Sequence, residues 1–449
     1  MNVTLIANVV YKDNKFGIGF KNELLYKNPH DMKFFKETTE NSVVVMGYKT
    51  WVSIPNKPLK NRVNVVLTKR HLDNNPDIQG VIFTTFKDFK NIFNKKHKIF
   101  VIGGAQIYEL FLKDKTFKPN KLLITLTEPN ISKEIDTFLE PELIKDYQIV
   151  KYSEKFQYEN LKYTFLEYSY SDKHHEELKY FDLFEKILSE GKPRENRTGI
   201  NTLSIFGAQM RFDISKTIPL MTSKKVSFKN IVEELLWFCR GDTDANILKN
   251  KGVNIWNGNS SREFLDSRGL TDYPEGECGP IYGHQWRNFN GIDQLKNIEN
   301  LIKTQPNSRR IVLSAWNPSD LSKMALEPCH ILVQFYVNEG RLDCMFTMRS
   351  NDSSLAATYG ICSYSVLTYI LAMKCGLTPG EIVYSVGDCH IYETHIEATR
   401  EQMTRDIRPF PALRIDNSVI TKDWSEILYT DFKLVGYFPN KPIKMSMVV

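Results

Sequence analysis

Over residues 3 to 129, short runs rich in β-branched residues alternate with helical patterns, and this alternation constrains the fold more than any other feature of the chain. VTLIANVV (3–10), SVVVMG (42–47), RVNVVLT (62–68), VIFTT (81–85), KIFVIGG (98–104) and KLLITLTEP (121–129) read as strands closed by Gly or polar clusters. Residues 29–37, with Met32, Phe34 and Phe35, and residues 105–112, with Ile107, Tyr108, Phe111 and Leu112, have helical spacing. Strand and helix in this order imply an α/β sheet.

Two further strand-like stretches end near Tyr170, after which SDKHHEELKYFDLFEKILSEGK turns helical. The boundary falls at Ser171–His174, a very short linker that leaves residues 1–170 as one domain and 175–449 as another. A chain of 449 residues, about three times a one-domain length of ~150, has room for both. The second part mixes long helices with strands, an α+β pattern. Residues 230–241, 290–305 and 359–376 read as helices, the last apolar almost all round and therefore buried. IVLSAWNP, PALRI and ILVQFYVNEGRLDCMFTMRS read as strands, the last a hairpin turning at Asn338–Gly340.

A composition of 42% hydrophobic and 25% charged residues excludes a disordered chain or a collagen-like repeat. All seven cysteines lie beyond residue 238, without tight pair spacing, which points to reduced thiols in the cytoplasm and not a disulfide scaffold. The start, MNVTLIANVVYKDN, reads as a strand and not a secretion signal, and no apolar run approaches the ~18 residues of a membrane span. Residues 1–172 hold 26 Lys and Arg against 20 Asp and Glu, while the remaining 33 of each cancel. The whole +6 therefore sits in the first domain, where it suits small polyanions; a nucleic-acid footprint needs a denser basic stripe.

In the first domain VIGGAQIY (101–108) joins a buried strand directly to a helix through a Gly pair, a place where free helix N–H groups suit a phosphate. GIGFKN (17–22), only half of a Gly-rich fingerprint, reads as a glycine turn. Asp31 opens a helix. It is either an acid complementing the helix dipole or a carboxylate in an apolar pocket that partners a cationic ring, and spacing does not decide.

Together LIANV, GIGFKNELLY, NPHDMKFFKETT, VVMGYKTWVSIP, KPLKNRVNVVLT, VIGGAQIYELF, ITL and DTFL resemble dihydrofolate reductase across residues 1–170. The resemblance implies a mostly parallel central sheet and a set of roles. Asp31, supported by Thr125, would hold the pterin. Phe35 and Ile54 would wall the folate, and Arg62 would pair with its α-carboxylate. Ala7, Ile18, Gly47, Lys49, Thr50, Thr68, Lys69, Gly103 and Gly104 would cradle NADPH. Tyr48 stands where the family usually has a basic residue, with Lys49, Lys69 and Arg70 nearby, and Tyr26 stands where a Trp is common.

In the second domain Cys329 has a distinctive setting, ALEPCHILVQF, after a Pro and at the start of a strand. It is either core filler or a nucleophile, and a nucleophile needs positive charge brought from elsewhere in the fold. Arg197, Arg309, Arg310 and Arg349 are candidates for that charge and for a phosphate clamp.

ENRTGINTLSIFGAQMRF, IVEELLWFCRGDTD, NIWNGN, GPIYGHQWR, SRRIVLSAWNPSDLSKMALEPCH, RSND, GDCHIYETH and RPFPAL resemble thymidylate synthase from residue 174 to the end. The whole chain thus resembles the fused dihydrofolate reductase-thymidylate synthase of protists and plants, and the SREFLDSRG insertion is similar to the eukaryotic form. That resemblance implies that Cys329 attacks C6 of dUMP and that C5 takes a methylene from 5,10-methylenetetrahydrofolate. Arg197, Arg349 and Ser350 would bind the phosphate with Arg309 and Arg310 of a second subunit, which implies a homodimer. His390 and Tyr392 would hold the deoxyribose. Glu234, Tyr282 and His330 would organise proton transfer. Trp256 and Asp352 would contact the folate under Val449, and Asp352 also belongs to the dUMP site.

The departures are Asn257 for the usual Asp, Met348 for Gln, and LAATYG for L-G-L-P-F-N. The last puts Gly360 where an Asn amide would read the base, so weak discrimination against dCMP is expected. No metal is expected, because Cys329-His330 and Cys389-His390 are adjacent pairs without zinc-ligand spacing. Two alternatives stand beside this reading: a pyrimidine-nucleotide hydroxymethylase, and a non-catalytic dimerising scaffold. The first would leave the folate reduced and give a fused reductase little to do. The second would not need Cys329, Glu234, His390 or the arginines.

Overall fold

The computed structural model describes residues 2–69, 78–94, 96–129 and 133–448; Arg70 and Val449, assigned above to cofactor and folate binding, lie outside them. Two compact units are present, residues 1–175 with 406–409 and residues 176–405 with 410–449. The sequence alone assigns 406–409 to the second unit, but they group with the first.

The first unit is built on an 11-stranded sheet. Val3–Lys12 pairs in parallel with Ile99–Gly103 on one side and Lys121–Pro129 on the other. Val43–Gly47, Val63–Leu67 and Val81–Thr84 extend it in parallel. Such strands are covered on both faces, which is why they read as near-continuous apolar runs; Val44, Val45, Val65, Val66 and Val101 are fully buried. Leu161–Tyr170 and its antiparallel neighbours Tyr147–Tyr152 and Phe156–Tyr158 complete one side.

The carboxyl ends of the parallel strands come level. Met46 pairs with Gly103 and Gly47 with Leu67, and at this edge the chain enters the helices Tyr48–Ser53 and Ala105–Lys113. A ligand site is expected along such an edge. The helix Pro29–Thr39 begins where the sequence expects it: Pro29 takes the first position, and the Asn28 side chain accepts from the backbone N–H groups of His30 and Asp31.

The second unit carries a six-stranded sheet in the order Lys192–Arg194, Thr202–Asp213, Thr378–Tyr392, Arg341–Asp352, His330–Asn338, Val312–Ser314. One face is covered by Ala357–Lys374, the helix apolar on all sides, whose Tyr364 stacks on Phe346. The opposite face leaves Leu332, Tyr336 and Met345 exposed. The hairpin turns at Glu339 and Gly340, both at positive φ (48° and 76°), the conformation a tight two-residue turn requires. Arg341–Asp352 and Thr378–Tyr392 run parallel, and at Gly387 they approach so closely that a Cβ would stand 2.9 Å from the Arg349 carbonyl oxygen. No helix among the described residues is long and apolar enough to cross a membrane.

Two candidate active sites

At the carboxyl edge of the first sheet, Gly47, Thr50, Gly103 and Gly104 come together. A Cβ on Gly103 would lie 3.6 Å from Thr50 Oγ1, one on Gly104 3.4 Å from the same atom, and one on Gly47 4.0 Å from the Gly103 oxygen. Gly104 would meet nothing else within 4 Å, so this junction is open to a ligand. The peptide between the two glycines is cis. Gly104 caps the Ala105–Lys113 helix without a side-chain hydrogen bond, leaving first-turn N–H groups for an anion. Buried Thr68 ends the neighbouring strand and bonds through its N–H to the Thr84 carbonyl, with exposed Lys69 next to it and exposed Lys49 on the short helix. Ala7 is buried in the first strand and Ile18 half-buried in the second, Lys15–Gly19. Tyr48, in place of a basic residue, packs beside the Trp51 core cluster.

Asp31 sits where both its helix and the sheet reach it. It lies in the first turn of its helix, and it also faces the sheet, where Thr125 Oγ1 donates to Oδ1 at 2.6 Å and Asn8 Nδ2 to Oδ2 at 2.9 Å. Phe35 and Ile54 pack against the cluster of Ile6, Met46 and Trp51, whereas Met32, expected on the apolar face, is 55% exposed. The Arg62 guanidinium lies 6.0 Å from the Phe35 ring centre, held by the Thr39 hydroxyl (2.9 Å) and the Lys60 carbonyl (2.9 Å). It forms no ion pair among the described residues, so its charge is available. Tyr26 carries the Lys133 ammonium over its ring at 4.9 Å.

In the second unit, Cys329 stands one residue before the strand His330–Asn338. The Tyr282 hydroxyl accepts from its backbone N–H at 2.6 Å. Arg349, fixed by the carbonyls of Pro328 (2.9 Å) and Glu327 (3.1 Å), lies against the Trp316 ring. Burial raises the Cys329 thiol above its ordinary range; the charge of Arg349, the Tyr282 hydroxyl and the charge of Arg197 act in the opposite direction without prevailing. The arginines act in the expected direction, favouring a thiolate, but burial outweighs them.

Glu234 and Trp256 meet through the indole N–H, which donates to Oε1 at 2.7 Å. Burial pushes the Glu234 carboxyl up to about 7, and the Trp256 bond only partly offsets it. Trp256 packs edge-on to Tyr282, Tyr282 lies 5.2 Å from the His330 ring, and His330 Nδ1 is 3.2 Å from the Tyr364 hydroxyl. Burial lowers His330 to about 4, so its imidazole is neutral at pH 7. Gly360 sits in the same wall. A Cβ there would lie 3.5 Å from Met348 Sδ and 3.9 Å from His330 Nε2, ordinary contacts, and its φ is not positive, so the backbone does not demand glycine.

The parallel strands then gather the remaining candidates. Ser350 pairs with Asp388 and Asp352 with His390, which places RSND beside GDCHIY. His390 Nδ1 lies 3.2 Å from Asp388 Oδ1, and its ring is 5.2 Å from that of Tyr392. Asp352 is buried against its charge, yet His395 at 3.0 Å and local backbone N–H groups hold it below the usual carboxylate range. Exposed Arg197 lies over the Phe264 ring of the insertion. Exposed Arg309 and Arg310, on the loop before Val312–Ser314, join no ion pair among the described residues. Asn257 Nδ2 donates to Asn254 Oδ1 at 3.3 Å.

Sequence reasoning missed Asn8, although a polar residue inside the apolar run LIANVV was a signal. It also missed His395, which bonds both Asp352 and the Ser446 carbonyl and stands in the quoted motif GDCHIYETH. Buried Lys224, which donates to the Ser354 carbonyl at 2.6 Å, gave no signal. Among the described residues no group of three His, Cys, Asp or Glu side chains could hold a metal ion.

An open glycine junction beside a carboxylate, and a cysteine walled by a proton-exchanging glutamic acid and arginines, are two different chemistries on two folds; the molecule is a two-site enzyme. The dihydrofolate reductase family profile matches residues 5–170 and the thymidylate synthase profile residues 178–449. The bifunctional dihydrofolate reductase-thymidylate synthase of Paramecium tetraurelia is 41% identical over 96% of each chain. Those of Zea mays and Leishmania amazonensis are 39% and 37% identical over 98% of this chain, covering 96% and 94% of theirs. The chain belongs to the bifunctional dihydrofolate reductase-thymidylate synthase family. It combines dTMP synthesis with reduction of folate.

The Glu234 carboxyl has a measurable consequence. With its folded value raised, its contribution to stability is full below the ordinary 4.5 and is lost as pH rises through about 7. Across that window stability should fall with a slope of up to about 1.4 kcal/mol per pH unit. Glu234→Gln, which keeps an acceptor for Trp256, should remove this component, so its Tm relative to the parent should rise between pH 5 and pH 8; parallel pH dependence in the two proteins would contradict the assignment.

Proposed function

We propose that residues 1–170 form the NADPH-dependent reductase domain and residues 175–449 the synthase domain, joined at 171–174, and that the candidate residues act as follows. In the synthase, Arg197, Arg349 and Ser350 bind the dUMP phosphate, with Arg309 and Arg310 contributed by a second copy. His390 and Tyr392 hold the deoxyribose. Cys329 Sγ bonds to C6, and C5 attacks the methylene of 5,10-methylenetetrahydrofolate, placed by Trp256, Asp352 and Val449. The C5 proton leaves through the network of Glu234, Tyr282 and His330. The methylene's bonds to N10 and then N5 break, leaving it on C5 as an exocyclic methylene; hydride from the tetrahydrofolate reduces it to methyl as the C6–S bond breaks to return the Cys329 thiolate, and dTMP and dihydrofolate are released. The observation that carries this reading is the unbroken wall Glu234–Trp256–Tyr282–Cys329, in which a carboxyl near 7 both gives and takes a proton at neutral pH.

In the reductase, Asp31 with Thr125 binds the pterin and passes a proton towards N5 through water. Phe35 and Ile54 enclose it, and Arg62 takes the α-carboxylate. NADPH supplies a hydride when bound, and the residues present fit it: Gly104 leaves an approach for its phosphates to the start of the Ala105–Lys113 helix, with Gly47, Thr50, Gly103, Ala7, Ile18, Lys49, Thr68 and Lys69 as the remaining members of the site. A homodimer is supported by the exposed apolar sheet face and by Arg309 and Arg310, which join no ion pair among the described residues. Seven free thiols suit a cytoplasmic setting.

With dUMP, methylenetetrahydrofolate and NADPH, the absorbance record should show dihydrofolate formation and NADPH consumption. Cys329→Ala should abolish the first while leaving NADPH-dependent reduction of added dihydrofolate intact; loss of neither would sink the nucleophile assignment. Mixing Cys329→Ala with Arg310→Ala should restore synthase activity to about a quarter of the sites, through mixed dimers with one intact site, and no recovery would argue against a shared site. Because Gly360 offers the base edge no side chain, dUMP should be only weakly preferred to dCMP, and Gly360→Asn should sharpen the preference by about tenfold or more in kcat/KM. Strong dUMP selectivity in the parent would defeat that idea.

A further inference from the structure

From Val3 to Val10 the first strand is buried at every position except Asn8, which is half-buried. Asn8 pairs in register with Thr125 of the neighbouring strand. Its Nδ2 donates to Asp31 Oδ2 at 2.9 Å, and its Oδ1 accepts from Thr127 Oγ1 at 2.9 Å. The orientation of the amide follows from chemistry: an ionised carboxylate only accepts, so the nitrogen faces Asp31 and the oxygen turns to a hydroxyl able to donate. Thr127, 1% exposed, is the hydroxyl that fixes it. On the other side Thr125 donates to Asp31 Oδ1. Each carboxylate oxygen thus has one donor of its own, and the one on Oδ2 is backed by a buried second residue.

Strand packing does not call for an amide here, since Ile6, Ala7, Val9 and Val10 are all apolar and buried. We propose that Asn8 is a positioning residue of the reductase reaction: backed by Thr127, it locks the rotation of the Asp31 carboxylate, so that the carboxylate meets the pterin ring in a single preset orientation. A carboxylate free to rotate about its side-chain bonds would have to be ordered by the substrate, at the expense of transition-state binding. The inference rests on the assignment of Asp31 as the pterin-binding group.

Steady-state reductase kinetics on the full-length chain test it, with Asn8→Leu, Thr127→Val, Asp31→Asn and the double variant Asn8→Leu/Asp31→Asn, the last two at high enzyme concentration. Asn8→Leu should lower kcat/KM for dihydrofolate by about tenfold and Thr127→Val by about threefold, a charged hydrogen bond and its support, with KM for NADPH unchanged. In the Asp31→Asn background Asn8→Leu should have no further effect. Equal losses in both backgrounds, or no loss in the parent, would overturn the role of Asn8. Undiminished activity in Asp31→Asn alone would instead overturn the assignment of Asp31, and the proposal with it. Thr127→Val leaves Asn8 in place and carries the test should Asn8→Leu fail to fold.

Discussion

The parallel pairing of Arg341–Asp352 with Thr378–Tyr392 is the constraint on which the second site depends. It sets side by side two motifs whose paired residues, such as Ser350 and Asp388, are 38 apart in sequence, and it holds at the Arg349 carbonyl because Gly387 has no Cβ to keep the backbones apart. On that side Asp352 comes level with His390, while Arg349 takes its carbonyl anchors, Pro328 and Glu327, from the opposite side, beside Cys329. The first unit solves the same problem differently, by ending several parallel strands along one edge and turning them into helices through glycine.

Burial shifts two groups of one pocket in the same direction, with opposite consequences. It brings Glu234 to about 7, where it exchanges protons at neutral pH, and it holds Cys329 on the thiol side of its range despite Arg349 and Arg197. The dry wall that tunes the carboxyl therefore opposes the nucleophile. Arg349 and Arg197 act on the sulfur in the other direction, without outweighing burial.

Much of this was legible in the sequence because local rules and tertiary demands agree. The apolar runs of the parallel sheet, the Pro29 helix start and the Asn338–Gly340 turn all signal themselves through their own residues. Two long strands of the second sheet, Thr202–Asp213 and Thr378–Tyr392, did not, since Gly207, Pro379, Gly380 and Gly387 punctuate them as loops would be. Asp31 could not be assigned from spacing because helix capping and ligand binding favour the same residue at the same place; only the positions of Thr125 and Asn8 separate the two. The direction of the Cys329 shift depends on desolvation, which no linear pattern records. Residues 406–409 were placed with the wrong unit because proximity in sequence is no guide to which core a short segment joins.

Trp256 gives Glu234 more than a hydrogen bond. An indole whose N–H points at a carboxyl experiences that group's ionisation as a change in its own electric field, so the proton balance of the synthase pocket is coupled to the emission of one tryptophan. The pocket carries an optical reporter of its own acid-base state, placed by the fold within hydrogen-bond reach of the Glu234 carboxyl.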